Sequence, residues 1–99
     1  MKRRAIIRVY GEVQGVGYRS WTLRRARRLG LKGFVRNEPD GSVLIVAEGD
    51  EEALSMLAEE CKKGPALARV ERVEIEWQEY RGDFEDFEIE YREYELPRG

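Results

Sequence analysis

Apolar and polar residues alternate at the start of the chain: Ala5, Ile7 and Val9 fall on one side, Ile6, Arg8 and Tyr10 on the other. A period of two in a β-branched run predicts a strand, and Gly11, Gly15 and Gly17 after it predict a glycine-rich loop. The period then lengthens. From Ser20 to Leu29, Thr22, Ala26 and Leu29 continue from Tyr18 at helical spacing while Arg24, Arg27 and Arg28 project elsewhere, which predicts a helix closed by Gly30 and Gly33. Phe34 to Asn37 and Ser42 to Glu48 read as two strands, and Pro39-Asp40-Gly41 between them is a turn signal for an antiparallel hairpin. Asp50 is placed to cap a second helix with Glu51 and Glu52 at its positive dipole end and Ala53, Leu54, Leu57, Ala58 and Cys61 as its buried stripe. Lys62-Lys63-Gly64-Pro65 stops that helix. Two further strands follow, Val73, Ile75 and Trp77 alternating with Glu74, Glu76 and Gln78, then Phe87, Ile89 and Tyr91 alternating with Glu88 and Glu90 beyond a turn near Gly82-Asp83.

The order is βαββαβ with a final strand. Two amphipathic helices of this kind cover one face of an antiparallel sheet, so the predicted architecture is α+β, a ferredoxin-like α/β sandwich. With 99 residues, 41% hydrophobic and 38% charged, the chain builds one modest core beneath an ionised surface. A single domain over residues 1–99 is expected, with its core at about 4–91 and a polar tail at 92–99.

Composition narrows the chemistry. Histidine is absent, which removes the usual neutral-pH general base, the Ser-His-Asp and Cys-His pairs and any histidine-ligated zinc. Cys61 is the sole cysteine, so no intrachain disulfide or cysteine-based metal cluster forms, and the residue reads as small core filling. No calcium-type oxygen loop and no other metal or cofactor signature occurs, and no apolar run approaches the roughly 20 residues of a membrane span. A cytoplasmic monomer is expected. The scarcity of amides, one Asn and two Gln beside abundant Arg and Glu, is a bias associated with thermophiles.

Net charge is only −2, but it is unevenly laid out. Residues 1 to 36 hold 11 Lys and Arg against Glu12 alone, a balance of +10, and residues 37 to 99 hold 7 against 19, a balance of −12. Such a division hints at an anionic partner for the basic part.

The segment Gly11-Glu12-Val13-Gln14-Gly15-Val16-Gly17-Tyr18-Arg19 joins a strand to a helix N-terminus, where backbone N–H groups and the helix dipole favour an anion. Gly15 and Gly17 let that backbone curl into a concave nest, and Arg19 adds a planar, permanently charged donor fork suited to phosphate or carboxylate. The Lys-Ser/Thr of a P-loop is missing and Ser20 stands at the third glycine of a dinucleotide fingerprint, which disfavours ATP and NAD. On this segment alone, a tight turn beside a solvated arginine competes evenly with an anion site. Asn37, the lone asparagine, ends the third predicted element just before the hairpin turn, where a turn-forming role is the ordinary one.

Val-Gln-Gly-Val-Gly-Tyr-Arg at 13–19, Leu-Gly-Leu-Lys-Gly-Phe-Val-Arg-Asn at 29–37, Asp-Gly-Ser-Val at 40–43 and Gly-Pro-Ala-Leu-Ala-Arg-Val at 64–70 together resemble the acylphosphatase family. The likeness runs from about residue 4 to 91 in matching order. It implies hydrolysis of the carboxyl-phosphate anhydride of a small acyl phosphate, without metal or other cofactor. Gln14, Gly15, Val16, Gly17, Tyr18 and Arg19 would form the phosphate-binding loop, Arg19 being the essential phosphate ligand, and Asn37 would orient the attacking water. Tyr18 stands where the family commonly has Phe and Phe34 where it commonly has Trp, both aromatic exchanges.

Two other readings share the element order. An RNA-binding module would use aromatic residues on an exposed sheet face, but Glu74, Glu76, Glu88 and Glu90 occupy the polar faces here and would repel phosphates, so no nucleic-acid partner is expected. An acylphosphatase-like accessory domain of a larger carbamoyl-phosphate-handling factor is the other, and the length and polar tail favour a free-standing enzyme. On the expected fold the basic charge gathers around Arg19 and the acid coats the second helix and open sheet face, a field that would draw in one small dianion.

Overall fold

The computed structural model describes residues 1–91, so the tail expected over 92–99 lies outside the described residues. The elements are β1 (Lys2–Glu12), α1 (Tyr18–Arg28), β2 (Lys32–Asn37), β3 (Val43–Asp50), α2 (Glu51–Cys61), β4 (Arg69–Glu79) and β5 (Phe87–Ile89). The strands form one sheet in the order β4-β1-β3-β2-β5. β1 is antiparallel to both β3 and β4, with Ile7 opposite Ile45 on one side and Ile75 on the other, and β3 is antiparallel to β2.

Strand alternation decides which side the helices cover. Ala5, Ile7 and Val9 of β1, Val35 of β2 and Val43, Ile45 and Ala47 of β3 are buried together with Tyr18 and Ala26 of α1 and Leu54, Leu57 and Cys61 of α2 in one core cluster. Burying each of the larger aliphatic side chains contributes about 1.5–3 kcal/mol, so this shared face is the main drive that seats both helices on one side. α1 ends in a Schellman arrangement: the Leu31 N–H donates to the Ala26 carbonyl (2.9 Å) and the Gly30 N–H to the Arg27 carbonyl (3.1 Å). Arg25, Arg27 and Arg28 fill its last turn, where positive charge complements the dipole.

The structure departs from expectation in three places. The sheet is not wholly antiparallel, because β5 pairs in parallel with β2, Val35 lying opposite Ile89. β4 and β5 therefore lie on opposite edges, and the chain between them is a strap across the face that carries no helix. There Phe84 meets Phe34 edge-on at 6.0 Å and lies beneath the Arg4 guanidinium at 5.3 Å. Secondly, Asp50 sits at the N-cap of α2 with extended backbone but makes no side-chain cap; the Glu51 N–H donates instead to the Met1 carbonyl, 3.0 Å away. Thirdly, the apolar side of β4 is only partly covered, since an edge strand extends beyond the reach of α2. Ile75 remains 38% and Trp77 36% exposed, with the Arg3 guanidinium 5.0 Å from the Trp77 ring.

Candidate active site

Between β1 and α1 the backbone enters the left-handed region at Gly15 (φ 75°) and Gly17 (φ 80°). No atoms crowd either position, so glycine is required there by dihedral angle and not by space. Gly17 is the N-cap of α1, and its carbonyl accepts the first helical hydrogen bond from Trp21 at 3.0 Å. The first N–H groups of an α-helix lack partners within it. Among the described residues no side-chain cap is made at that end, and the first turn holds no acidic residue, whereas α2 begins with Glu51 and Glu52. The positive end of the α1 dipole favours an anion, and Arg19 stands in its first turn.

Two contacts hold the loop in this shape. The Gln14 amide nitrogen donates to the carbonyls of Glu38 and Ser42, both at 2.9 Å, so its two donors are spent on the hairpin turn. That bridge ties the loop to the end of β2, where Asn37 sits. Tyr18 is buried, and its hydroxyl donates to the Cys61 carbonyl at 2.6 Å, satisfying a carbonyl at the open end of α2. A Cβ on Gly64 would come within 2.6 Å of the Tyr18 ring, so the small residue after α2 leaves room for the aromatic side chain. Burial, reinforced by Cys61, raises the Tyr18 phenol far above its ordinary range, and burial pushes the Cys61 thiol up to about 12. Both are neutral at physiological pH.

Asp40 closes the hairpin turn with its side chain. Its carboxylate accepts from the Ser42 N–H (2.9 Å) and hydroxyl (2.5 Å), and those bonds lower its pKa. Asn37 itself is 6% exposed and pairs in register with Val43, a fixed position at the end of β2.

Gly15, Gly17, Tyr18, Arg19 and Asn37 line one pocket of about 100 Å³, together with Val13, Ser20, Ile89 and Tyr91. Ligand sites for whole drug-sized molecules occupy about 300–1,000 Å³, so this one suits a single small group. Gln14 and Val16 belong to the same loop but are not on the lining. Sequence reasoning missed Val13, Ser20, Ile89 and Tyr91 as pocket residues. The apolar alternation of Phe87, Ile89 and Tyr91 did put all three on the core side, but only the pairing of β5 with β2 brings Ile89 and Tyr91 into the pocket with Asn37. Among the described residues no carboxylate lines the pocket. Among the described residues no group of three or more His, Cys, Asp or Glu side chains is arranged to hold a metal, and no helix is long and apolar enough to cross a membrane.

Comparison with known families decides where the chain belongs. Residues 5–89 match the acylphosphatase family model. The chain belongs to the acylphosphatase family. It is thereby placed among hydrolases acting on acyl phosphates. An acylphosphatase from Thermococcus kodakarensis is 52% identical over 90 residues, 90% of this chain and 98% of that one. The crystal structure of acylphosphatase from Bacillus subtilis superimposes with a TM-score of 0.85 at 36% identity, covering 92% of this chain and all of the other. A T. kodakarensis HypF structure also matches, with a TM-score of 0.77 and 35% identity over 89% of this chain, but only 12% of that much longer chain is involved.

Proposed function

We propose that this pocket hydrolyses the carboxyl-phosphate anhydride of a small acyl phosphate to carboxylate and inorganic phosphate. The observation that carries the reading is the meeting of two distant segments, the Gly15–Arg19 turn and Asn37, around a cavity sized for one phosphoryl group. In this scheme the loop N–H groups and the Arg19 fork hold the phosphoryl oxygens and stabilise the charge that builds on them. Asn37 orients a water in line with the bond to be broken. The water oxygen bonds to phosphorus, the P–O bond to the acyl group breaks with its electron pair, and the water proton passes to a phosphoryl oxygen.

The absence of histidine, and of a carboxylate among the described residues that line the pocket, fits this reaction. The leaving carboxylate is the conjugate base of an acid with a pKa of about 4, so it departs without a general acid. What is needed is position and fixed charge. Tyr18 is a poor base, because its hydroxyl is spent on Cys61 and its proton is held by burial. No metal enters the scheme, and hydrolysis is expected to persist in excess chelator.

Turnover of benzoyl phosphate or acetyl phosphate, measured beside a phosphate monoester with inorganic phosphate as inhibitor, tests the reaction class. Comparable monoester cleavage would refute anhydride specificity. Asn37→Ala is expected to keep phosphate inhibition but lose turnover by about 100-fold or more, as removal of an aligned transition-state donor does. Near-normal turnover in that variant removes the role from Asn37. Arg19→Lys is expected to weaken phosphate inhibition, since an ammonium cannot reproduce the planar fork.

A further inference from the structure

Tyr91 stands outside every motif that pointed to the site, yet it lines the pocket, and its ring lies 5.0 Å from the Arg19 guanidinium carbon. The position follows from the backbone. β5 pairs in parallel with β2 up to Val35 opposite Ile89, and the Glu90 N–H donates to the Val35 carbonyl at 2.9 Å. Two residues further along the same direction, Tyr91 comes level with Asn37. Alternation puts Tyr91 on the same side of the sheet as buried Phe87 and half-buried Ile89, the side that α1 covers. The first turn of α1 holds Arg19, so the ring and the guanidinium are brought together by strand pairing and helix packing acting jointly.

We propose that Tyr91 is a positioning residue for Arg19: its ring steadies the guanidinium and so fixes the donor fork towards the pocket. This rests on the reading of Arg19 as the phosphate ligand. A cation attracted to a ring's negative face still carries its N–H donors in the plane of the fork, which remains available to a phosphoryl group. A long arginine side chain otherwise loses rotamer freedom each time it engages a ligand. Holding it in place beforehand moves that cost from binding into folding. Tyr91 is itself 52% exposed and forms part of the pocket rim, so the ring also shields the fork from solvent on one side.

The test uses the full chain with Tyr91→Leu and Tyr91→Phe, read by inorganic phosphate inhibition and by NMR of the arginine side chains in the unliganded protein. Tyr91→Leu is expected to weaken phosphate inhibition by about two- to fivefold, the size of an exposed cation–π contact. In the same variant the Arg19 side-chain protons lose their ring-current shift. Tyr91→Phe keeps both, because the ring and not the hydroxyl acts. Wild-type phosphate affinity in Tyr91→Leu, or equal weakening in the Leu and Phe variants, overturns the proposal. Thermal unfolding of each variant separates this from a loss of fold: if Tyr91→Leu does not fold, unshifted Arg19 resonances in wild type or weakened phosphate inhibition in Tyr91→Phe still overturn it. Arg19→Lys in the same assay keeps the two readings apart, since undiminished phosphate affinity there sinks the phosphate role of Arg19 itself, whatever Tyr91 does.

Discussion

Tyr18 and Cys61 join the two helices through a hydroxyl and a backbone carbonyl, and the same burial that makes the contact tight also holds two protons in place. The consequence appears in alkali. The Cys61 thiol keeps its proton in the folded protein up to about pH 12, while the unfolded chain gives it up near the ordinary value of 9.0. Between those limits the folded state binds one proton more than the unfolded state, so unfolding releases a proton and stability falls as pH rises. The slope from this group alone is about 1.4 kcal/mol per pH unit, and below pH 9.0 its contribution is fully present. Tyr18 adds to the slope above its own ordinary value of 10.0, again in the direction of loss. Urea midpoints measured from pH 8 to 11 are expected to decline more gently in Cys61→Ala than in wild type, whatever the offset that the smaller side chain imposes at pH 8. Identical slopes would mean that the thiol has no such hold on its proton.

The strap between β4 and β5 has a latch at its centre, and that latch is Glu48. Its side chain is 2% exposed, and its carboxylate accepts from the N–H groups of Arg81 (2.8 Å) and Asp83 (3.2 Å) while facing Arg4 at 3.5 Å. Arg4 also reaches Asp83 at 3.1 Å, closing a small network that is buried at Glu48 and half exposed at Asp83. Removing one member of a buried, charge-assisted set costs about 3–5 kcal/mol, because the partners are left without compensation. Glu48→Ala is therefore expected to lower stability by that order and to speed amide hydrogen exchange at Arg81 and Asp83 far more than in the strands of the core. Unchanged exchange at those two amides would show that Phe84 on Phe34 holds the strap by itself. The strap also explains which parts of the fold were legible beforehand. The hairpin around Asp40, the helix stripe from Leu54 to Cys61 and the loop glycines depend on residues near one another in sequence, so short-range periodicity and turn chemistry reveal them. The Arg19 loop read locally as an even choice between a tight turn and an anion site, and Asn37 as a turn residue; both entered the candidate site through the resemblance to the acylphosphatases. The partner of β5 depends on how a connection of several residues crosses the sheet, which no local pattern encodes. Ile89 and Tyr91 were hidden from the site by that one undetermined pairing, and Glu48, an acid ending an apolar strand, gave no sign that backbone N–H groups from residues 81 and 83 would bury it.

At the scale of the molecule, the +10 and −12 parts of the chain lie against each other. Arg3 pairs with Glu51, Arg4 with Glu48 and Asp83, Arg25 with Glu60, Arg27 with Asp86, and Arg36 with Glu38 and Glu90. Each of these joins an arginine from the basic part to a carboxylate from the acidic part, so much of the division seen along the sequence is cancelled in space. Most of the pairs are partly exposed and contribute only modestly to stability, about 0–1 kcal/mol each. Their larger effect is on the long-range field. A basic lobe left bare would steer a dianionic substrate, with rate gains of about 10- to 1,000-fold that collapse as salt shortens the screening length. With five of the eleven cations of the basic part matched to acids, the long-range attraction for a dianion is weakened. Raising sodium chloride from about 10 mM to about 300 mM is therefore expected to lower kcat/KM for an acyl phosphate by less than about tenfold. A steeper fall, matched by a rise in KM at constant kcat, would mean that the basic half still acts as an extended antenna despite its ion pairs.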